Sequence, residues 1–211
     1  MYKIVWSHLF ALGIILGVVY YQSNVDGLMN DVLFALLTLE MGFLFYYFKH
    51  VLLRGLVLIF WCFFYPYNLN VLFSVADTSW DTAALWTSNG MKSFMLYLAV
   101  LVFALIAGTL SIRLILNAFK LNHYIQVFFV MGIAFFASLM FQILRTLGIT
   151  WKVILSQHLN IFEQVSKALT TINMPFILGL MVVQVMMFIL LDNDKCQKQY
   201  LRKIDEQKQF F

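Results

Sequence analysis

Residues 61–70 read Trp-Cys-Phe-Phe-Tyr-Pro-Tyr-Asn-Leu-Asn and lie near the end of an apolar run that extends over 32–73. Hydrocarbon penalises amides and unpaired backbone groups unless protein or water satisfies them. Pro66 has no N–H with which to close a helical hydrogen bond, so it predicts a kink here. The missing hydrogen bond leaves one backbone carbonyl free. This carbonyl and the amides of Asn68 and Asn70 predict a small polar cavity at one end of a membrane span.

Composition indicates a membrane protein. Hydrophobic residues make up 63% of the 211 residues and charged residues only 11%, whereas a soluble domain carries about 25% charged residues. A span needs about 20 apolar residues, so this length accommodates about six spans with short connections. The predicted fold class is therefore an all-α integral membrane protein with about six transmembrane helices plus one interfacial amphipathic helix.

The apolar run over 32–73 is too long for one span. At about 1.5 Å per residue, a single helix over it would be about twice the hydrocarbon thickness, so the chain has to fold back near the positive residues of 49–54. We predict one transmembrane bundle over 1–191. Its predicted parts are spans at about 4–21, 31–48, 55–73, 91–116, 123–144 and 173–191, an interfacial helix at about 150–170, and a separate cytoplasmic tail at 192–211.

Lysine and arginine residues predict the orientation. With six spans, most of them fall on one side of the membrane, which the positive-inside rule assigns to the cytoplasm together with both termini. Arg145, Lys152 and Lys167 fall on the other side. An amphipathic interfacial helix tolerates that conflict, and an odd number of spans would also relieve it. The net charge of +4 is spread between apolar segments, so it predicts no nucleic-acid partner.

Glu40 lies midway along the second predicted span, where a carboxylate costs about 2.5 to 3.5 kcal/mol on insertion scales. Gln184 and Arg113 are candidate partners at a comparable depth. One interpretation of these intramembrane polar residues is a proton or cation relay. The other is a structural pair, or a protonated acid that is hydrogen-bonded between helices.

A second polar group collects toward the predicted outer face. We predict that Asn68, Asn70, Asp77 and Arg145 form a ligand-binding site for a polar headgroup or solute, with Arg145 contacting an anion. The alternative is a helix kinked at Pro66 whose asparagine side chains cap backbone groups.

The sequence predicts no metal site, no cofactor and no catalytic residue. Cys62 lies in the outer half of the third span and Cys196 in the tail, so they are too far apart for a disulfide. The four histidines are scattered and form no cluster at metal-ligand spacing.

Two stretches resemble a bacterial membrane family named domain of unknown function 1361. They are 64–70, Phe-Tyr-Pro-Tyr-Asn-Leu-Asn, and 144–151, Leu-Arg-Thr-Leu-Gly-Ile-Thr-Trp. Leu69 replaces the family's second proline, Asp77 is displaced from the family's Thr-Asp, and one arginine remains near Trp151. The resemblance implies a bacterial inner-membrane location and an outward-facing polar region. It implies no activity.

Two functional classes remain open. The first is a non-enzymatic membrane component with an outward-facing polar pocket: a small permease, a substrate-binding subunit or an envelope accessory protein. A substrate-binding subunit like those of energy-coupling-factor transporters is one variant, although Ile15 stands where their Ala-x-x-x-Ala docking pair would follow Ala11.

The second class is an intramembrane enzyme that acts on a lipid-linked substrate through Asp77 or Asp81 with Arg145. The chain lacks a nucleophile–base arrangement and a glycine-rich phosphate loop, which makes this the minority interpretation. The predicted partners are the lipid bilayer and, beyond it, other membrane subunits or an envelope lipid.

Overall fold

The computed structural model describes residues 2–21, 27–77, 85–119, 123–146 and 172–191 and the isolated positions 166 and 170. Within these ranges the chain forms helices connected by short segments. The helices are α1 (Tyr2–Tyr21), α2 (Leu28–Tyr47), α3 (Val51–Asn68), α4 (Val71–Asp77), α5 (Ser88–Phe119), α6 (His123–Thr146) and α7 (Met174–Leu191).

Six segments are long and apolar enough to cross a membrane, with α3 and most of α4 forming one of them over Val51–Ser74. The predicted all-α membrane fold with six spans is thereby confirmed. The predicted interfacial helix over 150–170, apart from its two isolated positions, lies outside the described residues. So does the predicted tail over 192–211.

The turn between α2 and α3 is shorter than the sequence suggests. The expected turn extends through Arg54, but α3 already begins at Val51. The backbone N–H of Arg54 donates to the His50 carbonyl at 3.0 Å and closes the first helical turn. The Arg54 Nε donates to the Phe48 carbonyl and so satisfies one of the last acceptors beyond α2.

The helices α2 and α5 both contribute to each of the two apolar clusters of the core. The helix α5 packs most extensively against α2 and also contacts α1, α4, α3 and α7. One apolar cluster draws on α1, α2, α4 and α5, and the other on α2, α3, α5, α6 and α7. At about 1.5 Å per residue, the 32 residues of α5 are long enough to extend beyond the hydrocarbon.

The closest approach between α2 and α5 occurs at Gly42. A Cβ atom on this glycine would lie 2.9 Å from the Cα of Ser111 and 3.2 Å from its carbonyl oxygen. Because these are backbone atoms, no side-chain rotation relieves the overlap. A small residue at this crossing therefore lets the two backbones meet, as small residues do between membrane helices.

We expect Gly42→Ala to lower the free energy of unfolding by about 1–3 kcal/mol, because α2 and α5 have to separate to admit the methyl group. The measurement is denaturant unfolding of the purified protein in mixed micelles, followed by circular dichroism. Gly13→Ala is the matched control, since a Cβ on Gly13 meets nothing within 4 Å. Equal stabilities of the two variants would contradict the close crossing.

Candidate functional site at the break in the third span

The third span breaks just after its proline. Pro66 is buried inside α3, which ends two residues later at Asn68, and α4 starts at Val71. Between the two helices, backbone hydrogen bonds reach three residues back instead of four. The N–H groups of Leu69 and Asn70 donate three residues back, to the carbonyls of Pro66 and Tyr67, at 3.1 and 3.0 Å. This tightening is how a helix end retains hydrogen bonds when the regular pattern fails.

Asn70 turns its side chain from this break toward α2. Its Nδ2 donates to Asp31 Oδ1 at 3.4 Å, a long hydrogen bond. Asp31 is only 5% exposed, and within the described part of the chain its Oδ2 is buried without a hydrogen-bond partner. The site thus presents one unsatisfied acidic oxygen beside an amide.

The local sequence at the start of α2 positions this acid. Gly27 precedes the helix with a φ of 81°, a left-handed conformation that glycine adopts without steric cost. Asp31 then falls in the first turn, where the helix dipole favours negative charge. The apolar cluster around it includes Leu28, Val32 and Val71, so water has little access to the carboxyl group.

Asn68 faces a different helix. Its Nδ2 donates to the carbonyl of Ala104 on α5 at 2.9 Å, and the residue is 4% exposed. A Cβ on Gly108 would lie 2.9 Å from that Nδ2, so the glycine provides the space for the amide. Asn68 Oδ1 is buried without a partner among the described residues and lies at a cavity of about 20 Å³. That volume accommodates about one water molecule.

The face of α3 below the break carries two further buried polar groups. Trp61, Tyr65 and Asn68 recur at positions i, i+4 and i+7, which share one side of a helix. Trp61 Nε1 donates to Ser111 Oγ on α5 at 3.1 Å. The rings of Trp61 and Tyr65 stack, with their centroids 4.8 Å apart.

Gln184 connects α3 to α6 and α7. The Tyr65 hydroxyl donates to Gln184 Oε1 at 2.9 Å, and Gln184 Nε2 donates to Ser138 Oγ at 2.8 Å. The Ser138 hydroxyl in turn donates to the Ala134 carbonyl at 2.7 Å. All four groups are buried, so this network satisfies polar atoms that hydrocarbon would leave unpaired.

Glu40 lies near a histidine that the sequence did not suggest, although its Oε1 is buried without a hydrogen-bond partner among the described residues. Glu40 Oε1 lies 3.6 Å from Nε2 of His8 on α1, and the two side chains are 28% and 50% exposed. His8 Nδ1 lies 2.9 Å from the Ile4 carbonyl oxygen. Gln184, a predicted partner for Glu40, instead bonds to Tyr65 and Ser138.

The remaining predicted site residues that the structure describes lie on other helices. The Arg145 guanidinium lies over the Phe73 ring at 5.4 Å and the residue is exposed. Arg113 lines a cavity of about 110 Å³ with Thr109 and Leu191. Asp77 is the last residue of α4, and Asp81 lies outside the described residues. The structure therefore brings Asn70 to Asp31, while Asn68 bonds separately to α5.

Sequence reasoning missed the Tyr65–Gln184 network and the role of His8. The i, i+4, i+7 spacing of Trp61, Tyr65 and Asn68 was the available signal, because each side chain carries a group that needs a partner when buried. No cluster of three metal-ligating side chains occurs within the ranges that the structure describes.

Comparison of the chain with protein-family models, with curated proteins and with solved structures finds no match. The resemblance to the family named above therefore stays a prediction. The function has to be argued from the geometry of this chain.

We expect Gln184→Leu to lower the free energy of unfolding by about 1–3 kcal/mol, because it leaves the buried Tyr65 hydroxyl without an acceptor. Tyr65→Phe is the matched partner variant, and the double variant removes both groups together. The double variant should lose less than the sum of the single losses, as denaturant unfolding in mixed micelles will report. Strictly additive losses would show that the hydrogen bond contributes nothing to stability.

Proposed function

We propose that this chain is a multi-pass protein of a bacterial cell membrane, with both termini cytoplasmic, and that it acts as a non-enzymatic component that binds a small cationic ligand from the outer side. The ligand site is the pair formed by Asp31 and Asn70. The observation that carries the proposal is the buried Asp31 carboxyl group, which has one oxygen unpartnered among the described residues.

The chemistry of the pair favours a cation with N–H donors. A buried carboxylate is costly unless a positive group or hydrogen-bond donors face it. Asn70 supplies one long hydrogen bond to Oδ1, which leaves Oδ2 to accept from a ligand. The side-chain oxygen Oδ1 of Asn70 offers a second acceptor for the same donor-rich molecule.

An anionic ligand at this pair is disfavoured because the group that would face it is an acid. Arg145, the expected anion contact, lies over Phe73 on the α4–α6 side of the break. The cation therefore belongs to Asp31 and Asn70, and anion binding at Arg145 stays a separate prediction.

The break in the third span supports a permease or a substrate-binding subunit over an accessory protein. Transporters commonly bind solutes where a membrane helix is interrupted, because irregular backbone is tolerated at membrane depth only when protein or water satisfies it. Here Asn70, which lies in the interruption over 69–70, donates a hydrogen bond to the buried Asp31.

We expect methylammonium chloride to raise the melting temperature of the purified protein in mild detergent. At about ten times Kd, the binding would stabilise the folded state by about 1.4 kcal/mol. Tetramethylammonium chloride, which has no N–H donors, should give no comparable rise, and Asp31→Asn should abolish the effect of methylammonium.

Glu40→Gln is the matched control, since it neutralises the other described intramembrane acid, which faces His8. This variant should respond to methylammonium as the natural sequence does. An equal response of Asp31→Asn and the natural sequence would refute the cation site.

The proposed orientation predicts that reporters fused after residue 211 and before residue 1 behave alike. Green fluorescent protein should fluoresce at both termini, and alkaline phosphatase should be active at neither, because it folds only outside the cytoplasm. Alkaline phosphatase inserted between residues 78 and 84 should be active. Opposite behaviour at the two termini would require an odd number of spans.

A further inference from the structure

A large apolar groove opens between α3, α5 and α6 and extends along α3 from Leu58 to Tyr65, before the break. Its volume is about 530 Å³, within the range of ligand pockets. The residues that line it are nearly all apolar and include Leu58, Trp61, Ile115, Phe119, Gly132 and Phe136. Such walls suit a hydrocarbon chain and offer little to a polar solute.

The groove arises because α3 packs more closely against α2 than against α6. The side of α6 that faces the groove is open: Phe128 is 73% exposed and Phe136 is 44% exposed. A Cβ atom on Gly132, between them, would meet nothing within 4 Å. The missing side chain at Gly132 therefore contributes to the depth of the groove.

A basic residue of α3 lies one helical turn beyond the groove, on the same side of the helix as the groove residues Leu58 and Trp61. Arg54 is one helical turn before Leu58, and its guanidinium lies over the Phe45 ring at 5.8 Å. The Phe45 ring contacts Phe119, a groove residue, with centroids 5.2 Å apart. The Arg54 Nε–H is used by the Phe48 carbonyl, which leaves the terminal amino groups of the guanidinium for another acceptor.

The surroundings of Arg54 are also positive. The exposed residues Lys49 and His50 come directly before α3, at the level where a phospholipid headgroup would lie. This arrangement is complementary to an anionic lipid. The apolar channel matches the acyl chain, and the arginine and lysine at its interfacial end match the phosphate.

We propose that this groove binds one acyl chain of an anionic phospholipid and that Arg54 contacts its phosphate. The lipid belongs to the leaflet at this end of the bundle, which is the cytoplasmic leaflet in the proposed orientation. This site is separate from the Asp31–Asn70 pair, and it stands whether or not that pair binds a cation.

The test is native mass spectrometry of the purified, delipidated full chain in mild detergent, with equal amounts of dioleoyl phosphatidylglycerol and dioleoyl phosphatidylcholine. One phosphatidylglycerol molecule should bind in about fivefold excess over phosphatidylcholine, as expected from one interfacial basic residue. Arg54→Gln should remove most of this preference and leave only the part that Lys49 contributes. Arg54→Lys, which retains the charge, should preserve most of the preference.

Gly132→Phe tests the groove itself, because its ring would occupy the open volume without displacing backbone atoms. It should abolish the single bound lipid. Gly179→Phe on α7 is the matched control, since a Cβ there also meets nothing within 4 Å. Lys92→Gln is the charge control, because Lys92 lies over Tyr21 near the opposite end of α5.

Both controls should bind phosphatidylglycerol like the natural sequence. Equal binding of the two lipids to the natural sequence would overturn the headgroup assignment. Unchanged binding to Gly132→Phe, with its monomer peak and melting temperature preserved, would overturn the groove. If Arg54→Gln fails to fold, the Arg54→Lys and Gly132→Phe variants decide the outcome.

Discussion

A helix in hydrocarbon has to satisfy its own backbone hydrogen bonds, and Pro66 prevents the third span from doing so. The α-helix continues through Pro66 to Asn68, the next hydrogen bonds are tightened, and α4 starts at Val71. The two asparagines near this break then face different helices. Asn68 bonds to α5 and Asn70 to α2, so the interruption becomes a junction between three helices.

Earlier in α3, polar side-chain groups also need hydrogen-bond partners inside the membrane. Trp61 and Tyr65 each bring a polar group into the core, and each finds an acceptor on a neighbouring helix. Because lipid offers no hydrogen bonds, these pairs, together with apolar packing, constrain how α3 is rotated against α5 and α7. The polar face of α3 thus orients the helix whose end forms the proposed cation site.

The packing of α3 also accounts for the apolar groove. By packing closely on α2 and bonding to α5 and α7, α3 leaves its contact with α6 incomplete near Gly132. The two proposed sites therefore lie at opposite ends of the same helix. Asp31 and Asn70 present acidic and amide oxygens at one end, and Arg54 presents a positive charge beside an apolar channel at the other.

The sequence by itself determined the membrane class, the six spans and the interruption near Pro66, because hydropathy, length and the missing proline N–H are local properties. Only the tertiary structure decided which polar side chains contact one another. Glu40 meets His8, Gln184 meets Tyr65, and Asn70 meets Asp31. Apolar residues surround most of these helices on every side, so periodicity does not reveal which face points inward. The rotation of each helix, which sets every polar contact, follows only from packing against its neighbours.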